Sequence, residues 1–552
     1  MGRWQRYWFS DGGRTALAVV RIAVALSVLL CLARLDNPVS TGDLPGARTL
    51  YRPVGIWMLL GGQAPPDALV SVLWIIAWTS TAAMLLGAAT RAATAVSFVS
   101  AVALAALSFA ASKTWSHQYN VVFLAQMALL GARGGDVLSV DWLVRRLRGL
   151  PAINVPRGYQ WSLRLVQLAV ALMFAGAVFH KLLHSHFTLR WALSDNLRHH
   201  LLMRFDLAGL ERPPLVDWII DDPWKYRTAA LLNMISQAAP LAAVFLMRRP
   251  WLRALAGSFF VIETIALGFV VELWNLHWLP LAAVFIDWDR AIARVTKRPV
   301  VHPEVPPGWR PARSTRLFII GFVIYDVLTA FVPTLDQRLN TYPFSSFPMF
   351  ATLRARPPYD AHQPYGVAGV YFEVISDRPT NPPTQRWFDH QNRGIAAVRD
   401  PDELRRRMTA VLAQGQKRYW DFGVRGLRLW LTIYETPAYP ERARFERHPI
   451  ALMGELLPDG TFRTALGRLD GAPGPMAEHA IVTMRLQGIP EPTTAKLVYF
   501  RDELPQPIAI AVERSGARWD LAYEPIAGHP LHFVAILDGT PWLVASYAPW
   551  RW

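Results

Sequence analysis

The chain has 552 residues, 52% of them hydrophobic and only 18% charged, with 23 Trp. That is too apolar and too rich in Trp for an ordinary water-soluble protein, and it points to a membrane domain with an added globular part. The net charge of +16 does not point to nucleic acid, because many of the Arg and Lys residues lie between apolar segments, where membrane topology places them.

Arg3, Arg6 and Arg14 precede a long apolar stretch at about 16–35. No small-x-small cleavage site follows, so the stretch reads as a retained first span and not a removed signal. It carries Cys31, the only cysteine, which excludes a disulfide within the chain, CxxC redox chemistry and Cys-rich zinc sites. Further spans are expected at 69–86, 92–111, 115–132, 161–180, 229–247, 253–272 and 317–333, each near the roughly 20 residues a helix needs to cross a bilayer. The stretch 273–286 is shorter and is interrupted by Pro280, as in a re-entrant or broken helix. Counted with it, the expected architecture is a polytopic α-helical membrane domain of about nine spans in residues 1–335.

The loops fix an orientation. Basic clusters follow alternate spans: Arg91; Arg133, Arg145, Arg146, Arg148 and Arg157; Arg248, Arg249 and Arg253; then Arg290 to Arg316. All share a side with the N-terminus, which the positive-inside rule places in the cytoplasm. The loop 181–228, on the other side, is also basic, but it is long and its charges are spread out, so the rule constrains it less. Residues 336–552 then lie outside, in a bacterial-type inner membrane.

This tail opens with Tyr342-Pro343-Phe344-Ser345-Ser346-Phe347-Pro348-Met349-Phe350, broken by Pro and rich in interfacial aromatics. Strand-like runs at 369–375 and 426–433, and the turn dipeptides Asp459-Gly460, Ser515-Gly516 and Asp538-Gly539, predict a C-terminal extracytoplasmic β-rich domain, mostly antiparallel. One helix is expected at about 401–414.

Several polar residues stand where the bilayer disfavours them. Lys181 ends the span 161–180, and lysine is the side chain most readily converted to a base by burial; its ordinary alternative is to snorkel to the headgroups. His117 opens the span 115–132 at the same outer depth, with Asn120 one turn on. Glu263 and Asp326 lie deep in their apolar runs, and Arg21 in the first span is a candidate ion-pair partner for either. His180, His184, His186, His199 and His200 lack the carboxylate or Cys pattern of a metal site, and no metal is expected.

At these residues the chain resembles a known family. Ala175-Gly176 with Lys181-Leu182, Trp191 and Ala192–Leu202 resembles the lysine-bearing stretch of vitamin K-dependent γ-carboxylase. Ser116-His117-Gln118-Tyr119-Asn120 is similar to that enzyme's histidine-bearing stretch, and Ala18-Val19-Val20-Arg21-Ile22 to the first helix of the wider HTTM family. The resemblance covers about residues 10–290. It implies a vitamin K-type hydroquinone, or another quinone, as cofactor, with Lys181 as the base that deprotonates it and His117 assisting carboxylation at the outer face. The chain departs from the family by an insertion of two or three residues before Lys181 and by Glu263 where relatives carry a histidine. The expected partners are the lipid bilayer, a quinone and an extracytoplasmic protein substrate. The competing reading is a non-enzymatic membrane assembly or binding protein working through its β domain. A transporter would show repeated, broken spans, and no repeat is present.

Overall fold

The computed structural model describes residues 2–35, 64–108, 117–153, 155–206, 211–246, 249–297 and 304–331, with 51, 53 and 55–60. Beyond these it describes 365–381, 400–436, 446–470, 479–501, 504–509, 512–515, 518–522 and 531–547, with 384, 385, 388, 395, 398, 439 and 440. The aromatic segment 342–350 and the domain boundary at 335/336 lie outside the described residues.

The helical part runs α1 (Arg3–Trp8), α2 (Arg14–Arg34), α3 (Asp67–Leu86), α4 (Thr90–Ser108), α5 (Asn120–Ala128), α6 (Val140–Leu147) and α7 (Gln160–His184). It continues with α8 (Arg190–Leu193), α9 (Asn196–Asp206), α10 (Pro214–Ile220), α11 (Pro223–Phe245), α12 (Pro250–Val271), α13 (Trp288–Thr296) and α14 (Arg313–Phe331). Among the described residues seven of these, α2, α3, α4, α7, α11, α12 and α14, are long and apolar enough to cross a membrane. Their outward faces expose large apolar side chains, among them Ile75, Ile262, Phe269 and Ile324, as lipid contact requires.

The expected count of nine full spans is therefore corrected. The stretch predicted at 115–132 contains α5, only nine residues long; a 3-10 turn, His117–Tyr119, precedes it, and Gly131 turns the chain with a left-handed backbone three residues after its end. The stretch at 273–286 is a 3-10 segment, Leu276–Phe285, with Pro280 inside it, where the missing N–H prevents a regular α-helix. Both short pieces nevertheless keep the up-and-down course of the chain.

Contacts between loops sort the helix ends onto two faces. On one, Asp289 of α13 accepts from the Gly13 and Thr15 amides at 2.6 and 3.1 Å, capping the start of α2. Asp141 of α6 likewise accepts from the amides of Ala89 and Thr90 at 2.8 Å, capping α4 from a distant segment. Tyr7 donates to the Val244 carbonyl at 3.1 Å, and Phe9 meets Trp309 at 5.7 Å. On the other face Trp278 donates to the Gln118 carbonyl at 2.7 Å and Arg204 to that of Val271 at 2.9 Å. The clusters that the sequence divides among alternate loops thus meet on one face of the bundle.

The C-terminal part is β-rich, as expected. Its strands are β1 (Tyr365–Ser376), β2 (Val424–Thr436), β3 (Glu446–Leu456), β4 (Phe462–Arg463), β5 (Arg468–Asp470) and β6 (His479–Thr483). Six more follow: β7 (Ala495–Arg501), β8 (Leu504–Ala509), β9 (Val512–Ser515), β10 (Arg518–Ala522), β11 (Leu531–Leu537) and β12 (Thr540–Tyr547). The larger sheet has the order β1-β2-β3-β12-β11-β7-β8, with β4 beside β3, and the smaller one β5-β6-β10-β9. All pairs are antiparallel except β3 with β12. Strand alternation sends Leu427, Leu429, Val498 and Val534 toward Leu404 and Met408 of the helix α15 (Pro401–Arg418). It sends Leu497, Tyr499, Phe533 and Trp542 toward Val482 and Trp519 of the smaller sheet. Asp538-Gly539 turns with positive φ at both residues, which is the geometry of a tight hairpin.

Candidate functional site

Lys181 sits three residues before the end of α7 and does not snorkel. Its side chain is 1% exposed and turns inward. Nζ donates to Oδ1 of Asn233 at 2.6 Å and to Oε1 of Gln237 at 2.7 Å. Those residues are one turn apart on α11, so both amides project from one helix face. Each amide then donates to Oε1 of Glu263 on α12, Asn233 at 2.5 Å and Gln237 at 2.8 Å. The result is a buried cation and a buried carboxylate bridged by two carboxamides, all held by three long helices. The polarity is consistent at every atom: amide oxygens face the ammonium and amide nitrogens face the carboxylate.

The turn after α7 supplies the lid. The Ser185 hydroxyl donates to the Lys181 carbonyl at 2.7 Å and accepts from the Trp191 amide at 3.2 Å. His186 and Phe187 both take left-handed backbone, so the chain reverses and places the Trp191 ring 4.2 Å from Nζ. An indole face over an ammonium adds electrostatic attraction where both groups are buried. Below it, Asp195 accepts from the Tyr226 hydroxyl at 2.6 Å and pairs with Arg227 at 3.3 Å, which ties the α8–α9 turn to the start of α11.

Of the candidate site residues, the structure brings Lys181 and Glu263 together, and it gives Arg21 and Asp326 other surroundings. Arg21 is not the partner of Glu263 or Asp326. It is the eighth residue of α2, roughly 10 Å in from the basic face at 1.5 Å per residue. There its guanidinium donates to the carbonyls of Gly134 at 3.1 Å and Leu138 at 2.7 Å, which holds the α5–α6 turn. Asp326 is 2% exposed on α14 and borders, with Asn120, Thr329 and Leu172, a cavity of about 20 Å³. That is space for about one water molecule. Close packing of α14 on α7 is allowed by Gly176, where a side chain would come within 2.9 Å of the Ala330 carbonyl. His117 opens the short turn His117–Tyr119, and its side chain lies outside the described residues. His180 is fully buried against the Ala330 carbonyl, at a geometry that leaves both ring nitrogens without a well-formed hydrogen bond.

Asn233 and Gln237 are the site residues that the sequence reading missed. The signal was present: two carboxamides at i and i+4 in an otherwise apolar span, at the spacing that puts them on one face. Among the described residues no three His, Cys, Asp or Glu side chains gather in a metal-ligating arrangement. Compared with known proteins, the chain matches no family model, no curated protein and no solved structure.

Proposed function

We propose that this chain is a multi-pass membrane enzyme of the γ-carboxylase-like kind, with Lys181 as the base toward a quinol-type hydroxyl. The observation that carries the reading is the Lys181–Asn233/Gln237–Glu263 network. Burying an ammonium and a carboxylate in a helical bundle costs free energy that apolar residues of similar size would not. A charge pair retained at that cost is a marker of chemistry. The network is neutral as a whole, whether as ammonium and carboxylate or as amine and carboxylic acid. In the amine form Lys181 accepts the hydroxyl proton of the quinol, leaving the quinolate. The ammonium so formed donates to the amide oxygens of Asn233 and Gln237, and the quinolate beside it balances its charge. Access to Nζ requires the Trp191 ring to move aside. The flat, apolar ring of a quinol would then take its place over the Lys181 amine.

The same proposal includes an orientation. The basic face formed by the loops around α6 and α13 is cytoplasmic by the positive-inside rule, and the end of α7 that carries the buried Lys181 lies toward the outer face with the β-rich domain. A protein substrate outside the membrane and CO2 addition are the finer steps that the family resemblance implies.

The test is turnover of vitamin K-type hydroquinone or menaquinol by purified protein, with mass spectrometry of co-purified lipids. The reading expects a bound quinone and oxidation or consumption of the quinol by the wild type. Lys181→Arg should abolish turnover, since guanidinium does not release its proton at working pH. The pair replacement Lys181→Met with Glu263→Gln should abolish it in a protein that remains folded. Undiminished turnover in either variant would overturn the assignment of the base. For orientation, a reporter active only outside the cytoplasm should function when fused after Trp552.

A further inference from the structure

A cavity of about 500 Å³ opens on the basic face, far along α7 from Lys181, between α1, α7 and the α11–α12 turn. Its lining is Arg3, Arg6, Tyr7, Arg164, Phe245, Leu246 and Arg249. Four of those seven are arginines, and no carboxylate lines it among the described residues. Elsewhere on this face arginines stand beside acids, as Arg133 beside Asp136 and Arg290 beside Asp287. Four guanidinium groups around one hollow repel one another unless an anion joins them.

The arginines differ in how they are held. Arg164 is 6% exposed, donates to the Ser10 hydroxyl at 2.9 Å and stacks 4.2 Å from the Tyr7 ring, so its position is fixed by the fold. Arg3, Arg6 and Arg249 are exposed at the rim. The hollow also has an apolar side: Phe245, which lines it beside Leu246 and Tyr7, is 79% exposed. An arginine-lined hollow edged with aromatic side chains, at the end of membrane-crossing helices, matches a phosphate headgroup whose acyl chains run along the bundle.

We propose that Arg3, Arg6, Arg164 and Arg249 form a binding site for the phosphate of an anionic phospholipid. The exposed Phe245, with Leu246 beside it, favours the lipid over free phosphate, which has no use for an apolar rim. The bound lipid would reinforce the link that the Tyr7–Val244 hydrogen bond makes between α1 and the end of α11.

The experiment is a titration of detergent-purified full chain, read by native mass spectrometry. The probes are phosphatidylglycerol, phosphatidylcholine and inorganic phosphate, each at several salt concentrations. Phosphatidylglycerol should bind selectively, and more weakly as salt rises. Arg3→Gln with Arg249→Gln removes two rim charges and leaves the buried Arg164 intact. At about fivefold per basic residue this variant should bind phosphatidylglycerol on the order of 30-fold more weakly. Its thermal midpoint in detergent without added lipid, compared with wild type, checks that the fold is kept. Saturation by inorganic phosphate at the same concentrations would assign the hollow to a free anion and overturn the lipid. Equal binding of phosphatidylcholine, or undiminished binding of phosphatidylglycerol by the folded variant, would overturn the site.

Discussion

Two charge networks of similar composition sit in the two parts of this molecule, and they differ in meaning. In the helical bundle Lys181 and Glu263 are 1% and 2% exposed and reach each other only through Asn233 and Gln237. On the larger sheet Arg428 of β2 donates to Glu455 of β3 at 2.7 Å and to Glu373 of β1 at 3.2 Å. Strand register places those three directly opposite one another, and the Arg428 side chain is 38% exposed. The sheet network is an ordinary cross-strand row that water can partly solvate. The bundle network has no such recourse, so it has to be complete in itself. The two networks therefore differ in how much solvation their charges have given up.

The largest expected effect breaks the bundle network on one side. Lys181→Ala leaves Glu263 buried with no cation, and should lower stability by about 3–5 kcal/mol, read by thermal unfolding in detergent. Replacing both charges, Lys181→Met with Glu263→Gln, should recover most of that loss. If the double variant is no more stable than the single one, the two groups are not a coupled pair.

The caps on the basic face come next. Asp289→Asn and Asp141→Asn each weaken the capping of a helix that starts elsewhere in the chain. Each should cost about 0.5–2 kcal/mol, measured the same way, with the loss largest for alanine replacements. Asp141 also gives a pH signature. Burial raises its carboxyl, but bonds from the Thr90 amide and hydroxyl and the Ala89 amide, with the Arg21 charge, outweigh that and hold it below the usual carboxylate range. A carboxyl lowered on folding stabilises above its unfolded value and loses that contribution as pH falls through its folded value. The stability gap between wild type and Asp141→Asn should therefore be full near neutrality and narrow in acid. A gap that widened in acid would contradict the capping role.

The smallest effect belongs to the sheet. Arg428→Met should cost no more than about 1 kcal/mol and should cost less in high salt, because the group is partly solvated. A loss as large as that of Lys181→Ala would erase the contrast between the two networks.

Much of this was legible in the residues themselves. Seven of the long apolar runs became helices long and apolar enough to cross a membrane, because length and composition are properties that the sequence displays directly. Turn dipeptides and alternation marked the β-rich tail, since a strand's two faces are written at every second residue. Of the two overcounted spans, the stretch 273–286 failed for a local reason also visible in the chain, Pro280 inside it. Lys181 and Glu263 were each conspicuous as charges in apolar surroundings.

What the sequence left open was pairing. Arg21 and Glu263 looked like complements from their type alone, yet Arg21 serves the carbonyls of the α5–α6 turn near the basic end of its helix. Whether Lys181 snorkels or turns inward depends on what stands beside the end of α7. That neighbour is α11, whose Asn233 and Gln237 lie 52 and 56 residues further along the chain. Helix period and hydropathy are properties of neighbouring residues and can be read along a line. The partner of a buried charge is set by which helices pack together, and only the folded bundle, by excluding water from the space between them, decides that.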